Sequence, residues 1–149
     1  MADKEALNRQ LLQTIHSFEQ EGLLNKFFIT ARSLKDVNGP YSFVELISTF
    51  RTETQSTLRT LTQEMDRPVV NYDEMEESCI KIKGSSSCIG IHRMALACCD
   101  LQRAIYDQSK EACFLALNRV KHEFFILQDK FDTICQLERR IITLELEGL

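Results

Sequence analysis

Apolar residues recur every three or four positions along most of this chain, a spacing that gathers them on one face of an α-helix. The pattern predicts six helices and leaves no stretch with the alternation typical of a strand. The first helix is interrupted at Gly22 and carries Leu7, Leu11, Ile15 and Phe18. A second, shorter helix follows, and its apolar set is Leu23, Leu24, Phe27, Phe28, Ala31 and Leu34.

A third helix begins after the turn signal Asn38-Gly39-Pro40. Ser42 and Glu45 have the spacing of a capping box, so Ser42 is predicted as its N-cap. Pro68 ends the helix, because proline disfavours helical backbone in the residue before it. A stripe of mostly apolar residues predicts that this third helix is about 20 to 25 residues long. The stripe comprises Phe43, Ile47, Phe50, Thr54, Thr57, Leu58, Leu61 and Met65.

Three further helices are predicted in the second half of the chain. The fourth begins after Asn71, has acidic residues in its first turns where the helix dipole favours them, and runs to about Ser87. After a break at Gly90, the fifth carries Met94, Ala97, Cys98, Leu101 and Ile105. The last, of about 35 residues, has a heptad pattern that comprises Cys113, Leu117, Val120, Phe124, Leu127, Phe131 and Ile134, continued loosely by Leu137, Ile141 and Leu144.

The loops between the predicted helices are short, so sequential helices should pack antiparallel. The expected fold class is therefore all-α: an antiparallel four-helix bundle over residues of about 42–146, with two additional N-terminal helices over about 1–37 packed on it. The whole chain, residues 1–149, is expected to form a single domain, because its length and its 44% apolar content allow one substantial core.

Charge and hydropathy exclude several classes of function. The net charge of −4 argues against a dedicated nucleic-acid-binding protein, which normally has a basic surface. No apolar run approaches the roughly 20 residues that span a bilayer, and the charged N-terminus does not have the pattern of a signal peptide. We therefore expect a soluble intracellular protein with neither nucleic acid nor membrane as a partner.

The cysteines of an intracellular protein are expected to be reduced thiols. They form no C-x-x-C pair, and four fall at core positions of predicted helices, so they are interpreted as small buried hydrophobic residues: Cys79, Cys88, Cys98, Cys99, Cys113 and Cys135. Metal or redox chemistry is the less favoured alternative. No Ser-His-Asp or metal-ligand constellation is evident, so we predict no catalytic residue, no metal site and no cofactor.

The fourth helix carries an apolar residue on its polar side. Its core face comprises Tyr72, Met75, Cys79, Ile82 and Ser86. Ile80 lies about 120° from the centre of that face, and Gly84 follows one turn later. A single exposed apolar residue is common, but glycine within a helix costs about 1 kcal/mol relative to alanine. The two residues together indicate a flat docking surface, near which Lys81 and Lys83 supply positive charge.

Residues 80–90 resemble a segment of the plant histidine-containing phosphotransfer (HPt) proteins. The segment here is Ile-Lys-Ile-Lys-Gly-Ser-Ser-Ser-Cys-Ile-Gly, and the family's is His-Gln-Leu-Lys-Gly-Ser-Ser-Ser-Ser-Ile-Gly. Ile80 stands at the histidine and Lys81 at the usual glutamine. The family pattern H-x-x-K-G-S-S is matched by Lys83, Gly84, Ser85 and Ser86. The resemblance covers nearly the whole chain, with family-like spacing at Pro40, Phe43, Phe50, Arg93, Ala97 and Cys98.

In that family the histidine accepts a phosphoryl group from a receiver-domain aspartate and passes it to another receiver. The resemblance implies that Lys83 helps balance phosphate charge and that Gly84 permits close approach of the receiver. Ile80 has no lone pair with which to attack phosphorus. The resemblance thus implies a non-enzymatic pseudo-phosphotransfer protein, which binds receiver domains of hybrid histidine kinases and response regulators and dampens a two-component phosphorelay, expected to be that of cytokinin signalling.

Several points stay open at the level of sequence. Phe27 lies on the helix that helps bind receivers in the family, and it is either a receiver contact or a core residue, because only one of Phe27 and Phe28 can face fully inward. One alternative function is a phosphoryl carrier that uses another residue such as His92; His16 and His122 are the remaining histidines. A helical scaffold unrelated to phosphorelay is the other. We expect a monomer located in cytoplasm and nucleus.

Overall fold

The computed structural model describes residues 3–148, and over this range the chain is helical without a strand. The elements are α1 (Lys4–Gln20), α2 (Lys26–Ser33), α3 (Lys35–Asn38), α4 (Ser42–Met65), α5 (Tyr72–Cys88), α6 (His92–Tyr106) and α7 (Lys110–Glu147). All six predicted helices are present, and α3 is a single turn that follows α2 after Leu34. The predicted all-α fold class is confirmed.

Helices α4 to α7 form the four-helix bundle. α4 packs against α5 and α7, and α6 packs against the same two helices, so the four elements surround one core. The N-terminal helices lie outside this bundle. α1 runs antiparallel to the second half of α7, because Lys4 Nζ lies 3.4 Å from Glu145 Oε1 while Lys130 Nζ lies 5.1 Å from the centre of the Phe18 ring. α2 and α3 pack against α4.

The apolar stripe of α7 supplies much of the core. All of the predicted heptad residues are buried except Phe124 and Leu144, which are partly buried against the core. The ring of Phe131 packs edge-on against Phe50, with centroids 5.9 Å apart, and stacks on Phe28 at 6.5 Å. Although α7 is 38 residues long, neither it nor any other helix within residues 3–148 is apolar enough to cross a membrane.

The predicted capping box at the start of α4 is wrong. Tyr41 occupies the N-cap position, and Ser42 is already helical. The Ser42 hydroxyl instead donates a hydrogen bond of 2.8 Å to the carbonyl oxygen of Gly39. Gly39 has a φ of +103°, and the chain turns at this residue before α4 begins. At the start of α5 the local rule holds, because Asn71 Oδ1 accepts a hydrogen bond of 3.2 Å from the Glu74 amide.

The second predicted helix also begins later and ends earlier than expected. Leu23 and Leu24 are buried but lie before α2, which starts after Asn25 because the Asn25 side chain caps it, accepting a 3.0 Å hydrogen bond from the Phe27 amide. Leu34, predicted on the apolar face of this helix, lies between α2 and α3 and is exposed.

A buried carboxylate on α7 holds the N-terminal helices in place. Glu138 is fully buried, and its Oε2 accepts a 2.7 Å hydrogen bond from Arg32 Nε of α2. Its Oε1 accepts a short hydrogen bond from Lys35 of α3. The Arg32 guanidinium also donates a 3.0 Å hydrogen bond to Asn8 Oδ1 of α1. One carboxylate thus links three N-terminal elements to α7.

We expect Glu138→Ala to lower the free energy of unfolding by about 3 kcal/mol, because it leaves two cations without their buried partner. Urea denaturation followed by circular dichroism measures this change. Glu147→Ala is the matched control, since Glu147 is exposed near the end of the same helix. Equal unfolding free energies for the two variants would show that the Glu138 ion pairs do not anchor the N-terminal helices.

Candidate functional site

Helix α5 presents Ile80 and Gly84 on its outer face. Ile80 is 49% exposed and Gly84 is also exposed. Because these residues are four apart, they lie on adjacent turns of the same side. The opposite face agrees with the prediction: Tyr72 is partly buried, and the buried residues include Met75, Cys79, Ile82 and Ser86. The structure therefore places position 80 on the solvent side of the bundle.

The two lysines lie on either side of the surface formed by Ile80 and Gly84. Lys83 Nζ donates a 2.9 Å hydrogen bond to Gln102 Oε1 of α6. Lys81 lies on the other side and lines a groove of about 620 Å³ between α5 and α4, together with Thr52 and Thr57. The predicted positive charge is thus present on both sides. Gln102 was not predicted, because nothing in the α6 pattern distinguishes it from other polar surface positions.

Gly84 is not required by any contact inside the chain. A Cβ built on Gly84 meets no atom within 4 Å, and its backbone has ordinary helical geometry. The neighbouring serines differ from one another. Ser86 is fully buried, and its hydroxyl has no hydrogen-bond partner among residues 3–148, whereas Ser85 is partly exposed and Ser87 is exposed, so only these two small side chains reach the surface beside Gly84.

The structure decides between core and surface for the two phenylalanines of α2. Phe28 is completely buried, whereas Phe27 is 60% exposed. The start of α2 lies against the loop that follows α5, since the Asn25 amide donates a 2.9 Å hydrogen bond to the Gly90 carbonyl. Phe27 is therefore next to the carboxyl end of α5, and Ile80 lies about 12 Å along the helix axis from that end.

The three histidines lie on helices other than α5, which carries Ile80 and Gly84. His16 on α1, His92 at the first position of α6 and His122 on α7 are all exposed. Within residues 3–148, no group of three histidine, cysteine or acidic side chains could hold a metal ion. An apolar groove of about 390 Å³, lined in part by Met65 and Phe114, lies between α4 and α7 and includes none of the predicted site residues.

The cysteines are free thiols, and four of them are core residues as the sequence predicts. The buried four are Cys79, Cys98, Cys113 and Cys135, while Cys88 and Cys99 are exposed, so the interpretation as buried residues is wrong for these two. Burial raises the pKa of the thiols of Cys113 and Cys135, so these two stay protonated at neutral pH. Their environment is that of packing residues rather than of reactive nucleophiles.

No family model matches the chain, but individual relatives align with almost all of it. Histidine-containing phosphotransfer protein 2 of rice is 30% identical over 137 residues, which are 91% of this chain and 92% of that protein. The chain belongs to the plant HPt family. Another relative, pseudo histidine-containing phosphotransfer protein 6 of Arabidopsis thaliana, is 28% identical over 137 residues, covering 91% of this chain and 86% of that protein.

Solved HPt structures have the same fold. A histidine-containing phosphotransfer protein from rice superimposes with a TM-score of 0.85 and 28% identity, covering 93% of this chain and 97% of that one. The maize protein gives a TM-score of 0.83 and 28% identity, covering 91% and 99%. HPt proteins serve plant phosphorelays, where they interact with kinases and response regulators. Both histidine-containing and pseudo members are among the relatives, so overall similarity does not assign this HPt chain to either group.

We expect Gly84→Ala to stabilise the protein by about 0.5–1 kcal/mol, because alanine favours helix and its Cβ meets open space. This corresponds to a rise in Tm of about 1–4 °C, measured by thermal denaturation. Gly22→Ala is the control and should lower the Tm, since Gly22 has a φ of +78°. A lower Tm for Gly84→Ala would mean that glycine at position 84 serves the fold rather than a partner.

Proposed function

We propose that this HPt chain is a pseudo-phosphotransfer protein, which binds receiver domains of hybrid histidine kinases and response regulators without accepting a phosphoryl group. The observation that carries the proposal is Ile80 on the outer face of α5, at the position that matches the phospho-accepting histidine of the family. Its hydrocarbon side chain has no lone pair with which to attack phosphorus, so residue 80 cannot accept the phosphoryl group as the family's histidine does.

The surroundings of Ile80 support retained binding. Gly84 keeps an open, flat face at a cost in helix stability that no internal contact explains. Lys81 and Lys83 carry positive charge on the two sides of that face, and Phe27 exposes an aromatic ring of the kind that is enriched at protein interfaces. Together these features form one exposed surface that is suited to a protein partner.

Receiver binding without phosphate transfer makes the protein a competitive inhibitor of active HPt proteins. It therefore acts as a negative regulator of a two-component phosphorelay, and by its resemblance to plant HPt proteins that relay is the cytokinin pathway. We propose that a monomer carries out this activity in the cytoplasm and nucleus. The inhibitor lowers flux by occupying the receivers, so its effect depends on its concentration relative to the active carriers.

Transfer from a phosphorylated receiver domain tests the missing chemistry. The wild-type chain should stay unlabelled, while Ile80→His should acquire an acid-labile, base-stable phosphoryl group, because an imidazole then stands at the acceptor position. Ile80→Ala is the control that removes the isoleucine without adding a nucleophile, and it should stay unlabelled. Labelling of the wild-type chain that disappears in His92→Ala would instead support the alternative of a carrier that uses a non-standard histidine.

The same reaction tests the inhibition. Unlabelled wild-type chain, added in excess to Ile80→His and the phosphorylated receiver, should slow the labelling of the variant by occupying the receiver. A direct titration of the wild-type chain with the receiver should give saturable binding. The proposal is wrong if the wild-type chain neither binds any receiver of the relay nor slows the transfer, and a helical scaffold unrelated to phosphorelay would then be favoured.

A further inference from the structure

The α5–α6 loop approaches the start of α2 closely at Gly90. Gly90 is buried and has a φ of +76°, a left-handed conformation that favours glycine. A Cβ built on Gly90 would lie 2.4 Å from the backbone nitrogen of Phe28, 3.0 Å from the carbonyl carbon of Phe27 and 2.6 Å from Asn25 Oδ1. Two of these are backbone atoms, so rotation of a side chain could not relieve the overlap. Alanine here would force α2 and the loop apart.

Hydrogen bonds join the same two segments at backbone level. The Asn25 amide donates to the Gly90 carbonyl at 2.9 Å, and the Arg93 amide donates to the Leu23 carbonyl at 3.3 Å. Asn25 is also the N-cap of α2, through its 3.0 Å hydrogen bond with the Phe27 amide. The first turn of α2 is therefore positioned by the segment that directly follows α5.

The side chains of this first turn divide between core and solvent. Phe28 packs edge-on against Phe43, with ring centroids 5.3 Å apart, and stacks on Phe131. Phe27 points away from that core and is mostly exposed. A displacement of the first turn of α2 therefore changes where Phe27 stands relative to Ile80, while the hydrogen bond from Arg32 to Glu138 keeps the other end of α2 attached to α7.

The other glycines do not have this property. All five glycines lie in the described part of the chain, and Gly90 is the one whose added Cβ would come within 3.4 Å of another atom. Gly22 has almost the same backbone conformation, with a φ of +78°, but nothing lies within 4 Å of its added Cβ. Backbone strain and steric overlap can thus be separated experimentally in this one protein.

We propose that Gly90 is a positioning residue for receiver binding, which sets the distance between the exposed Phe27 of α2 and the Ile80–Gly84 face of α5. This inference rests on the proposed function, because it assumes that both parts contact the same receiver. Gly90 itself belongs neither to the exposed part of α2 nor to the Ile80–Gly84 face of α5. Its close backbone approach to α2 holds these two helices together as one docking surface.

The test compares full-length Gly90→Ala and Gly22→Ala by titration with the same receiver domain. Both variants place alanine at a left-handed φ, so the effect of backbone strain is shared, and only Gly90→Ala adds the steric overlap with α2. Gly90→Ala should bind the receiver about tenfold more weakly, the loss expected when one aromatic anchor is misplaced. Gly22→Ala should keep wild-type affinity. Hydrogen exchange of the α2 amides should be faster in Gly90→Ala than in Gly22→Ala.

A double-mutant cycle with Phe27→Ala shows whether Gly90 acts through Phe27. If it does, Gly90→Ala costs much less affinity when Phe27 is already alanine. An equal loss in both backgrounds, or unchanged affinity of a folded Gly90→Ala, overturns the inference while leaving the proposed function intact. Absence of receiver binding by the wild-type chain overturns the proposed function itself.

A second pair of variants keeps the test decisive if Gly90→Ala does not fold. Asn25→Ala removes the N-cap of α2 without a clash, and Asn71→Ala removes an equivalent N-cap at the start of α5, nine residues before Ile80. Asn25→Ala should weaken receiver binding about threefold, since the first turn of α2 loses its cap, and Asn71→Ala should not weaken it. Equal affinities of these two variants would contradict the inference.

Discussion

Burial of one continuous apolar stripe along α7 is the interaction on which the other helices depend. The helix is about 57 Å long at 1.5 Å per residue, longer than any of the helices that pack on it. It completes the bundle with α4 and α6, and its second half also supports α1, whose contacts run from Lys4 beside Glu145 to Phe18 beside Lys130. α5 packs mainly on α4 and α6, so its outer side is left free for a partner.

The candidate site follows from this arrangement. The burial of the opposite face of α5 fixes the direction of Ile80, and the neighbouring helices α4 and α6 fix where the two flanking lysines lie. Gly84 and Gly90 have opposite reasons for being glycine. Gly84 meets no atom of its own chain, so its lack of a side chain matters to an incoming surface, whereas Gly90 has no room for a Cβ because α2 already occupies that space.

Buried ion pairs determine which helices meet. Glu138 joins α7 to α2 and α3, and Glu123 on α7 accepts a 2.6 Å hydrogen bond from Arg93 at the start of α6. Burying a charge is unfavourable unless its partner is in place, so each pair disfavours arrangements in which these helices are shifted. Apolar contacts alone would tolerate such shifts more easily, because dispersion contacts are individually weak and lack direction.

The amino-acid sequence by itself determined the six helices longer than one turn, the buried face of each of them except α2, and the solvent side of Ile80. These features follow from the helical period of 3.6 residues, which depends only on residues that are close together in the sequence. It also contained the HPt-like segment at residues 80–90, which led to the family. Even local rules gave way where a nearby turn intervened, as at Ser42, whose hydroxyl bonds to the Gly39 carbonyl rather than capping α4.

Only the tertiary structure decided that Phe28 rather than Phe27 enters the core, that Lys83 reaches Gln102, and that Gly90 is held against α2. Each of these joins parts of the chain that are far apart in the sequence: Asn25 and Gly90 are separated by 65 positions, and Phe28 and Phe131 by 103. No periodicity within one helix specifies such a partner. The choice is made when the helices pack together, because overlap and the burial of polar groups then exclude every arrangement but one.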